Sequence, residues 1–184
     1  MEKILFINAC VRPNSRTLEL ANSVLSKLSG KVEEVTLYNE NLSPLDLAEM
    51  TLRENASKNK DFSADNFKLA RQFASAETIV IAAPYWDLMF PSILKNYIEK
   101  ITVSGLTFAY GQNGIPQGLC SAKKLIYVTT SGGPIFNNFG YEYISALAKG
   151  FYGITDVQLV KAEGLDVYGA DVQTILENAK KSFN

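Results

Sequence analysis

A loop that combines a thiol, two arginines and two hydroxyls follows the first apolar run of the chain. Residues 10–17 read CVRPNSRT. The side chains in this loop that could hold an anion are Cys10, Arg12, Ser15, Arg16 and Thr17. Asn14 or Ser15 would cap the helix that follows, and the unpaired N–H groups and dipole at a helix N-terminus favour negative charge. We therefore predict that this loop binds a phosphate group.

Two kinds of chemistry would use such a phosphate. Cys10 and Arg16 have the C-x5-R spacing of the low-molecular-weight cysteine phosphatases, in which a thiolate attacks a phosphate that an arginine holds. Against this alternative, Pro13 removes one N–H group from the loop, the loop has no glycine, and the sequence contains no Asp-Pro dipeptide to supply the general acid. The other interpretation, which we favour, is that the loop only holds the phosphate of a cofactor.

The absence of histidine limits the chemistry that side chains can do. It excludes Ser-His-Asp and Cys-His catalysis and every histidine metal site within one chain. We therefore expect no metal site. An organic cofactor that carries its own chemistry would make the absence of histidine easy to tolerate.

Composition and charge define the class of protein. The chain has 184 residues, of which 47% are hydrophobic and 20% charged, so residues 1–184 are expected to form one globular domain. A net charge of −1 without a long basic run argues against nucleic acid as a partner. No apolar stretch is long enough to span a membrane and no signal segment opens the chain, so we expect a cytoplasmic protein.

Apolar strand patterns alternate with helical patterns along the chain. The strand-like runs cover residues 3–9, 32–38, 78–84, 124–130 and 157–162. This alternation predicts an α/β fold with a doubly wound, five-stranded parallel sheet in the flavodoxin-like order 2-1-3-4-5 and helices on both faces. Residues 42–65 are predicted to form a short helix and a mobile loop, and the glycine- and aromatic-rich residues 105–121 to lie over a site or an interface.

Ligands of open parallel sheets bind at the carboxyl ends of the strands, so the loops after the first, third and fourth strands should meet there. After the third strand, Tyr85 and Trp86 would face solvent unless a planar ligand or a second subunit covers them. After the fourth strand, Gly132 and Gly133 would let main-chain N–H groups approach a flat ligand. The three loops together predict one ligand site.

Four segments in this part of the chain also resemble a known family. The segments are APYWDLMFPSILKNYIEKI, GLTFAYGQNGIPQGL, KKLIYVTTSGG and GITDVQLVKAEGL. They are similar, in the right order, to segments of the FMN-dependent NAD(P)H oxidoreductases of flavodoxin-like fold, in the azoreductase and quinone reductase branch. The similarity covers most of residues 83–165, and the N-terminal third matches through pattern more than identity.

The resemblance implies an enzyme that passes a hydride from NADH or NADPH through flavin N5 to a small acceptor, such as a quinone, azo or nitroaromatic compound, by a ping-pong mechanism. It implies a homodimer with each flavin near the interface, where Tyr85, Trp86 and the aromatics of residues 107–110 would be covered. No catalytic side chain is implied, because the flavin carries the chemistry. With the anion loop, the FMN-binding residues would be Cys10, Arg12, Ser15, Arg16, Thr17, Pro84, Tyr85, Trp86, Asp87, Leu88, Thr130, Ser131, Gly132 and Gly133.

The chain also departs from the family pattern. Asp87 stands where relatives commonly have Asn and is expected to act through its backbone, and Ser131 replaces a frequent arginine. Because the histidine of many relatives is missing, protons would come from water or a tyrosine, with Tyr141 and Tyr143 as candidates by position. A non-catalytic, flavodoxin-like electron carrier is the third interpretation. The net charge of −1 gives it little support, since such carriers tend to be strongly acidic.

Overall fold

The computed structural model describes residues 1–183. Its strands are β1 (Lys3–Asn8), β2 (Lys31–Thr36), β3 (Thr78–Ala82), β4 (Phe108–Tyr110), β5 (Pro116–Gly118), β6 (Lys124–Thr130) and β7 (Asp156–Ala162). Its helices are α1 (Arg16–Leu25), α2 (Leu47–Asn59), α3 (Lys68–Ser75), α4 (Ser92–Ile101), α5 (Phe139–Leu147), continued by a π-helical turn at Ala148–Tyr152, and α6 (Val172–Ser182). Within residues 1–183, no helix has both the length and the apolar character needed to cross a membrane.

Five of the strands form one sheet in the order β2-β1-β3-β6-β7. All four pairings are parallel. Because β6 and β7 are the fourth and fifth strands predicted from the sequence, the predicted flavodoxin-like order is confirmed. The chain turns to opposite sides of β1 to form β2 and β3, and this reversal opens a crevice at the carboxyl ends of β1 and β3.

Alternate residues of the central strands face two separate apolar cores. Ile79 and Ile81 belong to the core that includes side chains of α3, α4 and α5, whereas Val80 and Ala82 belong to the core that includes side chains of α1 and α6. Every residue of β3 is buried, as expected for a central parallel strand covered on both faces. The sheet therefore holds the ends of its strands rigidly, and the loops at those ends start from fixed positions.

The segment 42–65 contains a helix of 13 residues, α2, which is longer than the short helix predicted. Its attachment is largely polar. Arg53 donates hydrogen bonds to the carbonyl oxygens of Glu99 at 2.7 Å and Lys100 at 3.0 Å, at the C-terminal end of α4. Glu49 forms an ion pair with Lys100. These contacts fix α2 by capping the unpaired carbonyls of α4.

Residues 105–121 contain the antiparallel hairpin β4–β5, in which Phe108 pairs with Gly118. The hairpin packs against the end of the π-helical turn, where a Cβ on Gly118 would lie 2.1 Å from the carbonyl carbon of Tyr152. Only glycine permits this approach of two backbones. None of residues 105–121 lines the cleft described below, so a position of this segment over an interface stays a prediction.

Candidate functional site

A cleft of about 450 Å³ opens at the carboxyl end of the sheet. The three loops predicted to converge do meet there. The predicted site residues that line the cleft are Arg12, Ser15, Arg16, Thr17, Pro84, Tyr85, Trp86, Thr130, Ser131 and Gly132. Four predicted residues do not line it, namely Cys10, Asp87, Leu88 and Gly133. The lining residues that the sequence analysis missed are Val11, Asn14, Leu165 and Asp166.

The loop after β1 leads into the N-terminus of α1. Ser15 is the N-cap, with an extended backbone, and its hydroxyl accepts a hydrogen bond from the N–H of Leu18 at 3.4 Å. The N–H groups of Arg16 and Thr17 have no hydrogen-bond acceptor among residues 1–183. Because the positive end of the helix dipole lies at the same place, this part of the cleft suits an anion.

A pair of threonine hydroxyls joins this loop to the end of β6. Oγ1 of Thr17 lies 2.6 Å from Oγ1 of Thr130, and both side chains are buried. Each hydroxyl carries one hydrogen, so one threonine donates to the other and the acceptor keeps its own hydrogen for another partner. Both residues line the cleft, and a ligand there is the available partner for that hydrogen.

Cys10 lies beneath the loop and is buried in the apolar core against α1 and α6. Its Sγ is 3.9 Å from the carbonyl oxygen of Ala82, and its backbone N–H is bonded to the side chain of Asn8. Burial raises the pKa of the Cys10 thiol, a hydrogen bond with Ser15 lowers it, and the charge of Glu34 raises it further, with a net upward shift. A thiol held protonated is a poor nucleophile, so the phosphatase alternative loses its nucleophile, whereas a contact of Cys10 with FMN stays a prediction.

The loop after β3 presents aromatic and apolar side chains. The N–H of Tyr85 donates to the carbonyl oxygen of Thr130 at 3.0 Å, and its hydroxyl donates to that of Asn137 at 2.8 Å. Trp86 and Leu88 remain 43% and 44% exposed. This loop therefore brings an anchored tyrosine and an uncovered tryptophan to the cleft.

The turn that follows Trp86 has a strained backbone. Trp86 and Met89 exchange two backbone hydrogen bonds, of 3.1 and 2.8 Å, and the two residues between them, Asp87 and Leu88, have φ of 50° and 66°. Positive φ at both central positions is the geometry of a type I′ turn, which usually requires glycine or asparagine. Holding L-residues there costs about 1–2 kcal/mol each. The side chain of Asp87 is exposed and does not line the cleft.

Backbone hydrogen bonds join the loop after β6 to the loop after β7. The N–H of Leu165 donates to the carbonyl of Ser131 at 3.2 Å, and that of Asp166 to the carbonyl of Gly132 at 2.8 Å. The N–H groups of Gly132 and Gly133 have no acceptor in the part of the chain that the structure describes. Of the two, Gly132 lines the cleft, so its N–H is a main-chain donor available there.

The loop after β7 supplies a carboxylate that the sequence analysis missed. Oδ1 of Asp166 accepts a hydrogen bond from Nη1 of Arg16 at 2.7 Å, and the same nitrogen lies 3.4 Å from the carbonyl oxygen of Leu165. A Cβ on Gly132 would lie 2.4 Å from Oδ2 of Asp166, so the carboxylate rests against the glycine. Since β7 is the neighbour of β6, its carboxyl end reaches the same crevice. The predicted strand order could therefore have indicated that the loop after β7 contributes to the site.

The two tyrosines considered as proton donors lie elsewhere. The hydroxyl of Tyr141 donates to the carbonyl oxygen of Val157 at 3.2 Å. The ring of Tyr143 packs against Phe90, with ring centroids 6.0 Å apart. Neither residue lines the cleft, so within this chain neither is placed to protonate an acceptor bound there.

Known proteins resemble this chain over its whole length. A family model described as flavodoxin-like fold matches residues 2–184. The FMN-dependent NADH:quinone oxidoreductase 2 of Clostridium acetobutylicum is 38% identical, covering 97% of this chain and 94% of that protein. The crystal structure of an azoreductase from Bacillus anthracis has a TM-score of 0.84 at 27% identity, covering 100% of this chain and 99% of that one.

A third similar protein, the FMN-dependent NADH-azoreductase of Bacillus anthracis solved in complex with FMN, has a TM-score of 0.80 at 26% identity, covering 100% of this chain and 96% of that one. The chain belongs to the family of flavodoxin-like fold. Its similarity within that family is to quinone oxidoreductases and azoreductases, so the resemblance inferred from the sequence is confirmed.

The cleft is compatible with FMN on its own geometry. The N–H groups of Arg16 and Thr17 have no protein acceptor, and those of Gly132 and Gly133 have none either within residues 1–183. The first pair lies at a capped helix N-terminus, which suits a phosphate, and the second lies on glycines, whose backbone can approach a flat ring. The exposed indole of Trp86 adds an aromatic surface at the same cleft.

Proposed function

We propose that this chain is an FMN-dependent NADH:quinone oxidoreductase that transfers a hydride from NADH to a quinone or a similar small acceptor. The observation that carries the proposal is the convergence of unpaired main-chain donors on one cleft, two from the N-terminus of α1 and one from Gly132. Support comes from family membership and from a relative of that description which is similar over nearly the whole chain.

The parts of the cleft have different tasks in this proposal. The N-terminus of α1, with Ser15 and Thr17, holds the phosphate, and the N–H of Gly132 donates to the polar edge of the ring. FMN held there would supply the chemistry of hydride transfer between NADH and the acceptor, and we propose a ping-pong order for the two substrates. Tyr85 and Trp86 form an aromatic wall that limits access of water. Since the tyrosines of α5 are engaged elsewhere, the proton for the acceptor comes from water.

We further propose that the protein is a homodimer. Several large apolar side chains are exposed, namely Trp86 at 43% and Leu88 at 44% in the loop after β3, Phe136 at 82% in the loop after β6, and Tyr110 at 60% in the β4–β5 hairpin. Phe108 is buried, so Tyr110 is the exposed aromatic of residues 107–110. A second copy would cover such a patch. Light scattering should give twice the chain mass of 20.3 kDa, and a flavin-loaded monomer at micromolar concentration would contradict the dimer.

The other interpretations have less support. The phosphatase lacks an ionised nucleophile, since burial raises the pKa of Cys10. A purely electron-carrying role conflicts with relatives described as oxidoreductases with NADH as a substrate. We place the enzyme in the cytoplasm, where NADH is supplied.

The purified protein tests the function directly. We expect it to be yellow, or to become yellow with FMN, and to oxidise NADH in the presence of a benzoquinone. Anaerobic addition of NADH should bleach the flavin absorbance, and later addition of quinone should restore it. Parallel assays with NADPH and with an azo dye would rank the nucleotides and acceptors. A colourless protein without measurable FMN affinity would overturn the proposal.

A further inference from the structure

The ionisable side chains that line the cleft are Arg12, Arg16 and Asp166. The two cations of this set differ in their surroundings. Arg16 is engaged, because Nη1 donates to Oδ1 of Asp166 at 2.7 Å and lies 3.4 Å from the carbonyl oxygen of Leu165. Its charge is therefore largely balanced before any anion arrives, and the set as a whole has one positive charge in excess.

Arg12 supplies that excess charge. Its guanidinium is exposed, lines the cleft, and has no ion-pair or hydrogen-bond partner among residues 1–183. Its carbonyl oxygen accepts a hydrogen bond from the N–H of Ser15 at 3.2 Å, which folds the backbone of Arg12 against the capped N-terminus of α1. An unpaired guanidinium that lines the same cleft as unpaired helix N–H groups suits the binding of a phosphate.

Arg16 and Asp166 connect two loops instead of binding the phosphate. The backbone of Leu165 and Asp166 is already bonded to Ser131 and Gly132, and the ion pair extends that connection to the loop after β1. The pair therefore joins the first and last loops of the cleft. An exposed ion pair contributes only about 0–1 kcal/mol to stability, so it can hold the loops in register without locking them.

We propose that Arg12 gives this cleft its preference for FMN over riboflavin, and that Arg16 is a positioning residue which, through Asp166, holds the loop after β7 against the loop after β1. The inference rests on the proposed function. It assigns the binding of the negatively charged phosphate to Arg12 and not to Arg16.

The test is the dissociation constant of FMN and of riboflavin, measured by quenching of flavin fluorescence with the apoprotein. We expect Arg12→Gln to raise the constant for FMN about tenfold and that for riboflavin less than about twofold, since only FMN carries the phosphate. Arg12→Lys should restore most of the FMN affinity, because a point charge also binds phosphate. Lys181→Gln, which removes one positive charge at the end of α6, is the charge-matched control and should change neither constant.

Asp166→Asn distinguishes the two possible roles of Arg16, because they predict changes of opposite sign in the affinity for FMN. If Arg16 positions the loop, this variant and Arg16→Gln should both weaken FMN and riboflavin by the same factor and speed the dissociation of both flavins. If Arg16 instead binds the phosphate, Asp166→Asn would release it from a competitor, and FMN binding would become tighter while riboflavin binding would not change. That result would overturn the inference.

The dependence on salt gives a second measurement. Raising ionic strength should weaken FMN binding by the wild type and by Arg16→Gln, and should weaken it much less in Arg12→Gln. Equal FMN-to-riboflavin ratios in wild type and Arg12→Gln would overturn the inference while leaving the proposed function intact. A wild-type protein that binds neither flavin would overturn both.

Discussion

The loop after β1 and the loop after β3 meet at one cleft but are built differently. In the loop after β1, Ser15 caps α1 and Thr17 is paired with Thr130, and none of its residues has positive φ. In the loop after β3, Asp87 and Leu88 lie at φ of 50° and 66°, and the side chain of Leu88 is 44% exposed. One loop is organised by a helix cap without backbone strain, whereas the other holds strain and exposed apolar surface.

The difference shows which interactions a single chain provides alone. A helix N-terminus and its cap are local, so the phosphate end of the cleft is organised by the fold before any ligand binds. The strain in the turn at Asp87–Leu88 is not offset by a comparable local interaction. Strained residues of this kind persist where function requires them. This contrast supports the proposals made above, in which the loop after β3 contacts the flavin ring or a second copy of the chain.

The largest expected effect concerns the phosphate end. Replacing Ser15 and Thr17 together by alanine should raise the dissociation constant for FMN at least about tenfold, because each hydrogen bond to a charged group contributes about 1.5–3 kcal/mol. Quinone turnover at saturating FMN should change little. The control, Ser15→Thr with Thr17→Ser, keeps both hydroxyls and should bind FMN nearly as the wild type does. Unchanged FMN affinity in the alanine variant would place the phosphate elsewhere.

In the strained turn of the loop after β3, one substitution is expected to stabilise the protein relative to its control. Leu88→Gly and Leu88→Ala remove nearly the same apolar side chain, but only glycine tolerates the positive φ at this position. We expect the glycine variant to be more stable than the alanine variant by about 1 kcal/mol in urea unfolding, because the left-handed conformation costs an L-residue about that amount or more. Equal stabilities would show that no strain is stored in this turn.

A smaller effect tests the contact between the loops after β6 and β7. Gly132→Ala places a Cβ where Oδ2 of Asp166 lies, at 2.4 Å, whereas a Cβ at Gly133 would meet no atom within 4 Å. The first change should displace Asp166 from Arg16 and raise the constants for both flavins by up to about fivefold, the equivalent of one exposed ion pair. Gly133→Ala should leave both constants unchanged. An effect limited to FMN would contradict the positioning role of this pair.

The sequence predicted the sheet because its central strands β1, β3 and β6 are apolar on both faces. The helix α3 was not predicted, since its eight residues follow a short 3₁₀ turn and bury only Ala70 and Phe73. The strands β4 and β5 have three residues each, which is too short for an alternating pattern to be recognised. Long buried elements are therefore readable from hydrophobic periodicity, whereas short ones depend on contacts distant in sequence.

The sequence predicted which loops form the candidate site but not the interactions within and between them. The turn at Asp87 and Leu88 gave no signal, because turns with positive φ are recognised from glycine or asparagine. The pair of Arg16 and Asp166 joins residues 150 positions apart, and only the adjacency of β6 and β7 brings them together. Tyr141 and Tyr143 were misplaced for a related reason, since chain position does not show which way α5 faces.

The smallest expected effect concerns Cys10, whose thiol lies in the apolar core rather than in the cleft. Cys10→Ala should leave FMN affinity and quinone turnover unchanged within about twofold and lower the free energy of unfolding by about 1 kcal/mol, since it removes buried packing only. Burial raises the pKa of this thiol above its ordinary value of 9.0. Below pH 9 the thiol is neutral in both folded and unfolded chains, so the stability difference between wild type and variant should be constant there. Above it, the unfolded thiol ionises first and the advantage of the wild type should shrink. Loss of turnover in Cys10→Ala, or hydrolysis of an aryl phosphate by the wild type that this change abolishes, would instead give the thiol a chemical role and revive the phosphatase interpretation.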